Sequence, residues 1–281
     1  MSNMGEGAWV VKVWDAPTRS FHWINAISVL TLMGFGLVIL NAGSLGVGDD
    51  GKVLLKTLHV WVGYVFVANL LARMIWAFFG NAHARWSNML PGGRGYLGDL
   101  GRYTAAFVKG RPPAYAGHSP LGRMAVLVLL LVLGVQGLTG LVLAGTDIYY
   151  PPFGHAIATW VAAPGVDPGD VAPYRPELVN PAAYEAMRDF RAPFIATHEF
   201  LFYLLAALVV VHIAAVVVTE QRGGGTLVSA MLTGRKVLFG TPLDRVRDAG
   251  DGEEARAPNE AAGPAAAPSE RETRSRHLAM D

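Results

Sequence analysis

The chain of 281 residues contains no cysteine. This absence excludes disulfide bonds, cysteine-ligated zinc, iron–sulfur clusters and cofactors attached through thioether bonds. Any prosthetic group must therefore be held by packing and by other ligands. Charge is also scarce, because only 16% of the residues are charged, whereas a typical soluble domain has about 25%. The net charge of +1 gives no general basic character, so we expect no nucleic-acid partner.

The hydrophobic residues are concentrated in four long runs, at about 22–40, 58–79, 122–144 and 194–218. A membrane-spanning helix needs about 20 mainly apolar residues, and each run qualifies. Buried helices of a large soluble core are the alternative, but residues 124–144 carry no charge at all, which a soluble helix rarely tolerates. The first twenty residues lack an apolar stretch, so we expect no cleavable signal peptide. The sequence predicts an all-α integral membrane protein with a bundle of four transmembrane helices.

The connections between the runs predict the orientation of the bundle. Residues 80–123 contain six Lys or Arg and one acid, whereas residues 145–193 contain six acids and three Arg. By the positive-inside rule, the first connection is cytoplasmic and the second is a periplasmic loop. Both termini are then cytoplasmic. We assign residues 1–240 to the membrane domain and expect 241–281, rich in Ala, Pro, Glu and Gly, to be a disordered cytoplasmic tail.

Ionisable residues within a membrane span indicate a functional site by default. Four histidines lie in or at the ends of the runs: His22, His59, His198 and His212. His198 and His212 are 14 residues apart (212 − 198), so they share one helix face at depths about 21 Å apart. The predicted orientation pairs His22 with His212 near the cytoplasmic face and His59 with His198 near the outer face.

Two pairs of imidazoles in a four-helix bundle are what two non-covalent haem b groups require. The pairs are too far apart to form one zinc or copper site with four ligands. The remaining alternative is that the four are polar core residues, which is harder to reconcile with four histidines that pair by depth. The histidines in the loops and tail, His83, His118, His155 and His277, are interpreted as ordinary surface residues.

Three further residues fit the same scheme. Gly36 lies 14 residues after His22 (36 − 22) and should face the outer haem, where a missing side chain leaves room for the macrocycle. Arg73 lies 14 residues after His59 (73 − 59), at the depth of the inner haem. Arg73 and Arg19 are candidates for pairing with haem propionates, or they extend to the cytoplasmic headgroups.

The stretches RSFHWINA (19–26), LHVWVGY (58–64), HEFLFYLLAALVVVHIAAVVV (198–218) and LVSAMLTGRK (227–236) resemble the bacterial di-haem cytochrome b561 family. This family includes the b-type cytochrome subunit of membrane-bound nickel–iron hydrogenases. The resemblance covers about residues 14–239 and implies that the four histidines are the haem ligands. It also implies a multi-pass protein of the bacterial cytoplasmic (inner) membrane. In that membrane, the protein would transfer electrons between a periplasmic redox partner and the quinone pool.

The leading hypothesis is therefore an electron-transfer subunit of an oxidoreductase complex, with a hydrogenase-like enzyme or a c-type cytochrome as its periplasmic partner. The alternative is a stand-alone, quinone-linked superoxide or ferric-chelate oxidoreductase of the same fold. The length of the loop at 145–193 favours the subunit. A proton-coupled transporter is disfavoured, since Glu199 is the only carboxylate within a predicted span.

Overall fold

The computed structural model describes residues 8–222, 225–239 and 242–244. The long helices are α1 (Ala16–Leu40) and α2 (Asp49–Phe79), then α5 (Pro120–Ile148) and α7 (Pro181–Gln221). The shorter helices are α3 (Trp86–Met89), α4 (Tyr96–Val108), α6 (Gly154–Val161) and α8 (Leu227–Thr233). Two strands, β1 (Ala8–Lys12) and β2 (Arg235–Phe239), pair antiparallel.

Three of the long helices begin with the same local signal. Asp15, Ser119 and Asn180 each accept a hydrogen bond from a backbone N–H of the first helical turn, at 2.9, 3.2 and 3.1 Å. A proline lies in the first turn of each of these helices, where its missing N–H costs nothing. These residues fix where α1, α5 and α7 start.

The long helices extend beyond the apolar runs that predicted them. The apolar run marks only the part of a helix that crosses the lipid core, and the helix continues where polar residues face water. The largest extension is in α7, which begins at residue 181 rather than near 194 and continues through Pro193. Its first turns are held by packing, because Met187 is completely buried against α6.

The four long helices form the membrane bundle. Helix α1 packs on α2 and α7 packs on α5, while α2 and α5 join the two pairs. Their shared core consists of Val29, Phe66, Leu70, Val132, Leu133, Leu201 and Leu205. Within the described residues, these are the four helices that are long and apolar enough to cross a membrane. The predicted all-α, four-helix membrane fold is confirmed.

A small packed unit stands at each end of the bundle. At the end where α5 stops, α6 and the chain that follows it bury Ile157, Val161, Val171 and Val179 with Met187. At the opposite end, the strand pair packs Val13 and Leu238 against Ala114 and Ala116. The sequence predicted neither unit, because each depends on contacts between distant segments. The predicted disordered tail falls almost wholly outside the described residues.

Candidate metal and cofactor sites

The histidines of α2 and α7 face one another at one end of the bundle. The ring centres of His59 and His198 are 6.3 Å apart, with an angle of 67° between the ring planes. Two opposed imidazole nitrogens that each bind a metal at about 2 Å place the ring centres about 6 Å apart. The separation therefore leaves room for one metal ion between the rings. We call this pair the outer site, after its predicted position.

A cavity of about 600 Å³ surrounds the outer site. Apolar side chains from all four long helices form most of its wall, including Leu32, Met33, Phe66, Val67, Leu133, Leu141 and Phe202. An apolar cavity of this kind, with a few polar groups, is typical of a cofactor site. The combination of the cavity and the two imidazoles fits a flat, largely apolar metal macrocycle.

Thr139 of α5 determines which nitrogen of His198 can bind a metal. The Thr139 Oγ1 atom lies 2.9 Å from His198 Nδ1 and also 2.9 and 3.0 Å from the carbonyl oxygens of Val135 and Gln136. A hydroxyl has one proton to donate, and here the carbonyl oxygens take it. This arrangement favours the tautomer in which Nδ1–H of His198 donates to the hydroxyl and to the carbonyl oxygen of Gln136, while Nε2 keeps its lone pair for a metal. Partners of this kind orient metal-binding histidines in general.

Two glycines leave space beside the rings of the outer site. A Cβ atom on Gly140 would lie 3.3 Å from His198 Cε1, and a Cβ on Gly36 would lie 3.8 Å from His59 Cε1. Both glycines line the cavity. The structure thus brings Gly36 to the outer site, where the sequence predicted it.

The mouth of the cavity is lined by charged residues. Lys52 and Lys56 of α2 and Asp147 of α5 line it together with Tyr174 of the following connection, and Glu199 of α7 lines the cavity beside His198. Sequence analysis missed these residues and Thr139. The lysines could have been found, because they lie 7 and 3 residues before His59 (59 − 52 and 59 − 56) and so share its helix face. A threonine hydroxyl within a membrane helix gives no such signal, since it usually bonds its own backbone.

The other two histidines approach one another at the opposite end of the bundle. His22 of α1 interacts electrostatically with His212 of α7, and we call this pair the inner site. His22 is partly buried, and its Nδ1 atom has no hydrogen-bond partner among the described residues. His212 is exposed, as are its neighbours on α7 such as Val211 and Ile213. The inner site is therefore open on the side of α7.

The two predicted propionate anchors, Arg19 and Arg73, have buried donors that no described residue satisfies. Arg19 donates to the carbonyl oxygen of Leu232, but its Nε is buried without a partner in the described part of the chain. Arg73 donates from Nη2 to the carbonyl of Ala84 at 3.2 Å and to Met89 Sδ at 3.0 Å, while its Nη1 is similarly unsatisfied. Unsatisfied guanidinium donors at one end of a bundle are suited to donate hydrogen bonds to an anionic carboxylate.

The prediction that His83 is an ordinary surface residue is wrong. His83 is only 6% exposed, because it packs in the folded connection after α2, where Trp14 lies 6.4 Å from it. His118 is partly buried against the same tryptophan at 4.9 Å. Burial, and then the nearby positive charge of Arg73, lowers the pKa of His118 to about 3. His155 is exposed, as predicted, and His277 lies outside the described residues.

Across the residues that the structure describes, no group of three or more histidine, aspartate or glutamate side chains could hold a metal ion. The histidines come in pairs, which suits a metal whose other ligands come from a macrocycle. The fold and the outer site together define the class: a multi-pass helical membrane protein with two opposed imidazoles in an apolar cavity that suits a non-covalent metal macrocycle.

Comparison with known proteins identifies the family. The chain belongs to the prokaryotic cytochrome b561 family, whose family model matches residues 13–234. The resemblance found in the sequence is thereby confirmed. The chain is a b-type cytochrome of the bacterial inner membrane, an electron-transfer protein with haem b as its cofactor.

Curated relatives match about half of the chain. A probable Ni/Fe-hydrogenase B-type cytochrome subunit of Rhizobium leguminosarum bv. viciae is 34% identical over 165 residues, 53% of this chain and 68% of the relative. A probable Ni/Fe-hydrogenase 1 B-type cytochrome subunit of Escherichia coli K12 is 28% identical over 150 residues, 50% of this chain and 63% of the relative. No solved structure matches the chain significantly.

Proposed function

We propose that this chain is a di-haem subunit that carries electrons across the membrane between a periplasmic redox partner and quinone. The observation that carries the proposal is the arrangement of histidines on α7. His198 and His212 stand about 21 Å apart along this helix, and each approaches a histidine from a different helix. One helix thus contributes a ligand to two sites at two depths.

In this proposal His59 and His198 hold the outer haem, and His22 and His212 hold the inner haem. Bound haem supplies an iron that exchanges one electron at a time between its ferric and ferrous states. The chain supplies the ligands and their orientation. Thr139 holds the His198 ring with Nε2 toward the cavity, while Arg19 and Arg73 neutralise carboxylates at the inner site. The apolar wall of the outer cavity excludes water.

We infer that the periplasmic partner is a hydrogenase-like enzyme. The relatives described above are named as subunits of Ni/Fe hydrogenases, which favours this partner over a c-type cytochrome. The segment at 149–193 supports a docking role, because it is folded and presents aromatic side chains above the outer site. Trp160 and Phe190 contact each other and remain 43% and 45% exposed. Exposed aromatic residues are enriched at protein interfaces, and some also occur at the lipid headgroups.

Quinone exchange is assigned to the inner site. Its ligand His212 is exposed together with apolar neighbours on the outer surface of α7. A lipid-soluble acceptor can approach such a site from within the membrane. The basic connection between α2 and α5 supports a cytoplasmic position for this end under the positive-inside rule, and we therefore propose that both termini are cytoplasmic.

Reconstitution tests the proposal directly. The full chain, placed in vesicles that contain a quinone, is mixed with a nickel–iron hydrogenase and hydrogen. Haem reduction followed by quinol formation, each requiring the hydrogenase, is the expected result. A chain that binds no hydrogenase and alone oxidises superoxide with quinone, or reduces a ferric chelate with quinol, would favour the stand-alone oxidoreductase.

Substitution of the exposed aromatics tests the docking surface. Trp160→Ser combined with Phe190→Ser should leave the haem content unchanged but slow reduction by the hydrogenase at least tenfold. Leu97→Ser is the matched control, since Leu97 is an exposed apolar residue of α4 at the opposite end. An unchanged rate in the aromatic double variant would rule out this docking surface.

A further inference from the structure

Two lysines stand at the mouth of the outer cavity. Lys52 and Lys56 project from α2 on the helix face of His59, about two turns and one turn before it. Arg191 of α7 also reaches the mouth through a hydrogen bond to Asp147. Three carboxylates accompany these three cations: Asp49 and Asp147, which pair with them, and Glu199, which lines the cavity beside His198.

The contacts show that the two lysines are held in different ways. Lys56 Nζ lies 2.9 Å from Asp147, and both side chains are only 21% exposed. Lys52 Nζ lies 3.0 Å from Asp49, whose side chain is 62% exposed. An exposed ion pair of this kind contributes at most about 1 kcal/mol and is easily exchanged. Lys52 can therefore release Asp49 and bind another carboxylate at little cost.

Tyr174 covers both lysines from the outer side. Its ring centre lies 5.7 Å from Lys52 Nζ and 5.6 Å from Lys56 Nζ, close enough for cation–π contacts. The backbone at Tyr174 has a φ of 60°, a conformation that residues other than glycine rarely adopt. The surrounding fold thus holds this aromatic ring over the lysines.

The cavity and its mouth together recognise a ligand with an apolar body and an anionic end. The cavity wall is mainly apolar, and its cations are gathered at the outer rim. A haem has this distribution, since its two propionates lie on one edge of an apolar ring. Ion pairs with carboxylates are stronger where water is partly excluded, as it is around Lys56.

We propose that Lys52 and Lys56 bind the propionates of the haem at the outer site, with Asp147 positioning Lys56 and Tyr174 closing the mouth. This inference rests on the proposed function, because it requires a haem between His59 and His198. It gives the outer haem anchors of its own, as Arg19 and Arg73 are at the other end of the bundle.

Redox titration of the full-length holoprotein in detergent tests the inference. Lys56→Gln and Lys52→Gln remove one positive charge each and leave similar volumes. Loss of a cation near the haem favours the ferric form, so the potential of the outer component should fall. The expected change for the double variant is about tenfold in the reduction equilibrium, equal to 59 mV for a one-electron couple. The potential of the inner component should not change.

Infrared difference spectra provide a second readout, independent of activity. Haem labelled with ¹³C at its propionate carboxyls identifies their bands in reduced-minus-oxidised spectra. The bands should shift in Lys52→Gln and Lys56→Gln and stay in place in Lys109→Gln, a control at the opposite end of the bundle. Lys56→Arg keeps the charge and should restore most of the potential.

Each outcome separates this inference from the proposed function. A double variant with two haems, an unchanged outer potential and unchanged propionate bands would overturn the propionate assignment and leave the proposed function standing. If the variants retain normal potentials but accept electrons slowly from the hydrogenase, the lysines bind the partner instead, which also overturns it. A wild-type chain without an outer haem would remove the proposed function itself.

If Lys56→Gln fails to fold, Lys52→Gln alone tests the propionate assignment, because the exposed ion pair of Lys52 with Asp49 contributes little to stability.

Discussion

The outer and inner histidine pairs have similar chemistry but different surroundings. The outer pair joins α2 and α7 within an apolar cavity, and α5 packs on both of these helices. The inner pair joins α1 and α7, and only the short helix α8 packs on both of these helices among the described contacts. His212 is consequently exposed, whereas His59 and His198 are partly buried. The comparison shows that the long helix α5 encloses the outer pair more completely than the short helix α8 encloses the inner pair.

The largest expected effect comes from removing a ligand. His59→Ala and His198→Ala should each abolish the same haem, and His22→Ala and His212→Ala should each abolish the other, because each haem needs both of its axial ligands. Redox titration of the visible spectrum identifies the lost component. If His22→Ala and His59→Ala removed the same component, the pairing by depth would be wrong.

Filling the outer cavity should affect one haem only. In Gly140→Leu the new side chain occupies the space where a Cβ already lies 3.3 Å from His198 Cε1, so most of the outer haem should be lost. Gly134→Leu is the matched control on the same helix, because a Cβ there meets no atom within 4 Å. The haem content of both variants is measured by absorbance. Equal haem loss in the two variants would point to a general packing defect.

The two sites should release haem in a definite order. A haem at the open inner site is less enclosed by protein, so it should dissociate first on heating or in rising denaturant. Absorbance and electron paramagnetic resonance spectra follow the two low-spin components separately. Release of the outer haem first, or of both haems in a single step, would contradict the difference in enclosure.

A smaller effect is expected from the hydrogen bond to His198. Thr139→Val removes one of the two acceptors for Nδ1–H and leaves the Gln136 carbonyl, which makes the imidazole a weaker donor to ferric iron and should raise the outer potential. One net hydrogen bond contributes about 1 kcal/mol, which corresponds to about a fivefold change in the reduction equilibrium. Thr139→Ser keeps the hydroxyl and should restore the wild-type value. A potential that Thr139→Val leaves unchanged would show that the bond does not tune this site.

The sequence predicted those features that depend on local composition and on helix periodicity. Four apolar runs predicted the membrane helices. The spacing of 14 residues between His198 and His212 predicted that these two histidines lie at two depths in the membrane. The ligand roles of the four histidines remain predictions, although the structure brings each pair together. The same periodicity applied to polar residues would also have identified Lys52 and Lys56 on the face of His59.

Features that depend on contacts between distant segments could not be predicted in this way. The apolar pattern began the fourth run just after Pro193, yet α7 starts twelve residues before this proline (193 − 181) because Met187 is buried against α6. The pairing of β1 with β2 joins residues more than two hundred positions apart. The burial of His83 likewise follows from how the connection between α2 and α5 folds back near Trp14.

The ratio of haem to protein distinguishes one haem site per chain from two. The purified chain, its concentration determined by amino-acid analysis, is assayed as the pyridine haemochrome after extraction with acidic acetone. We expect two haem b per chain. All of the haem should be extractable, because the chain has no cysteine to bind haem covalently. A ratio near one haem per chain in fully folded protein would contradict the two-site arrangement.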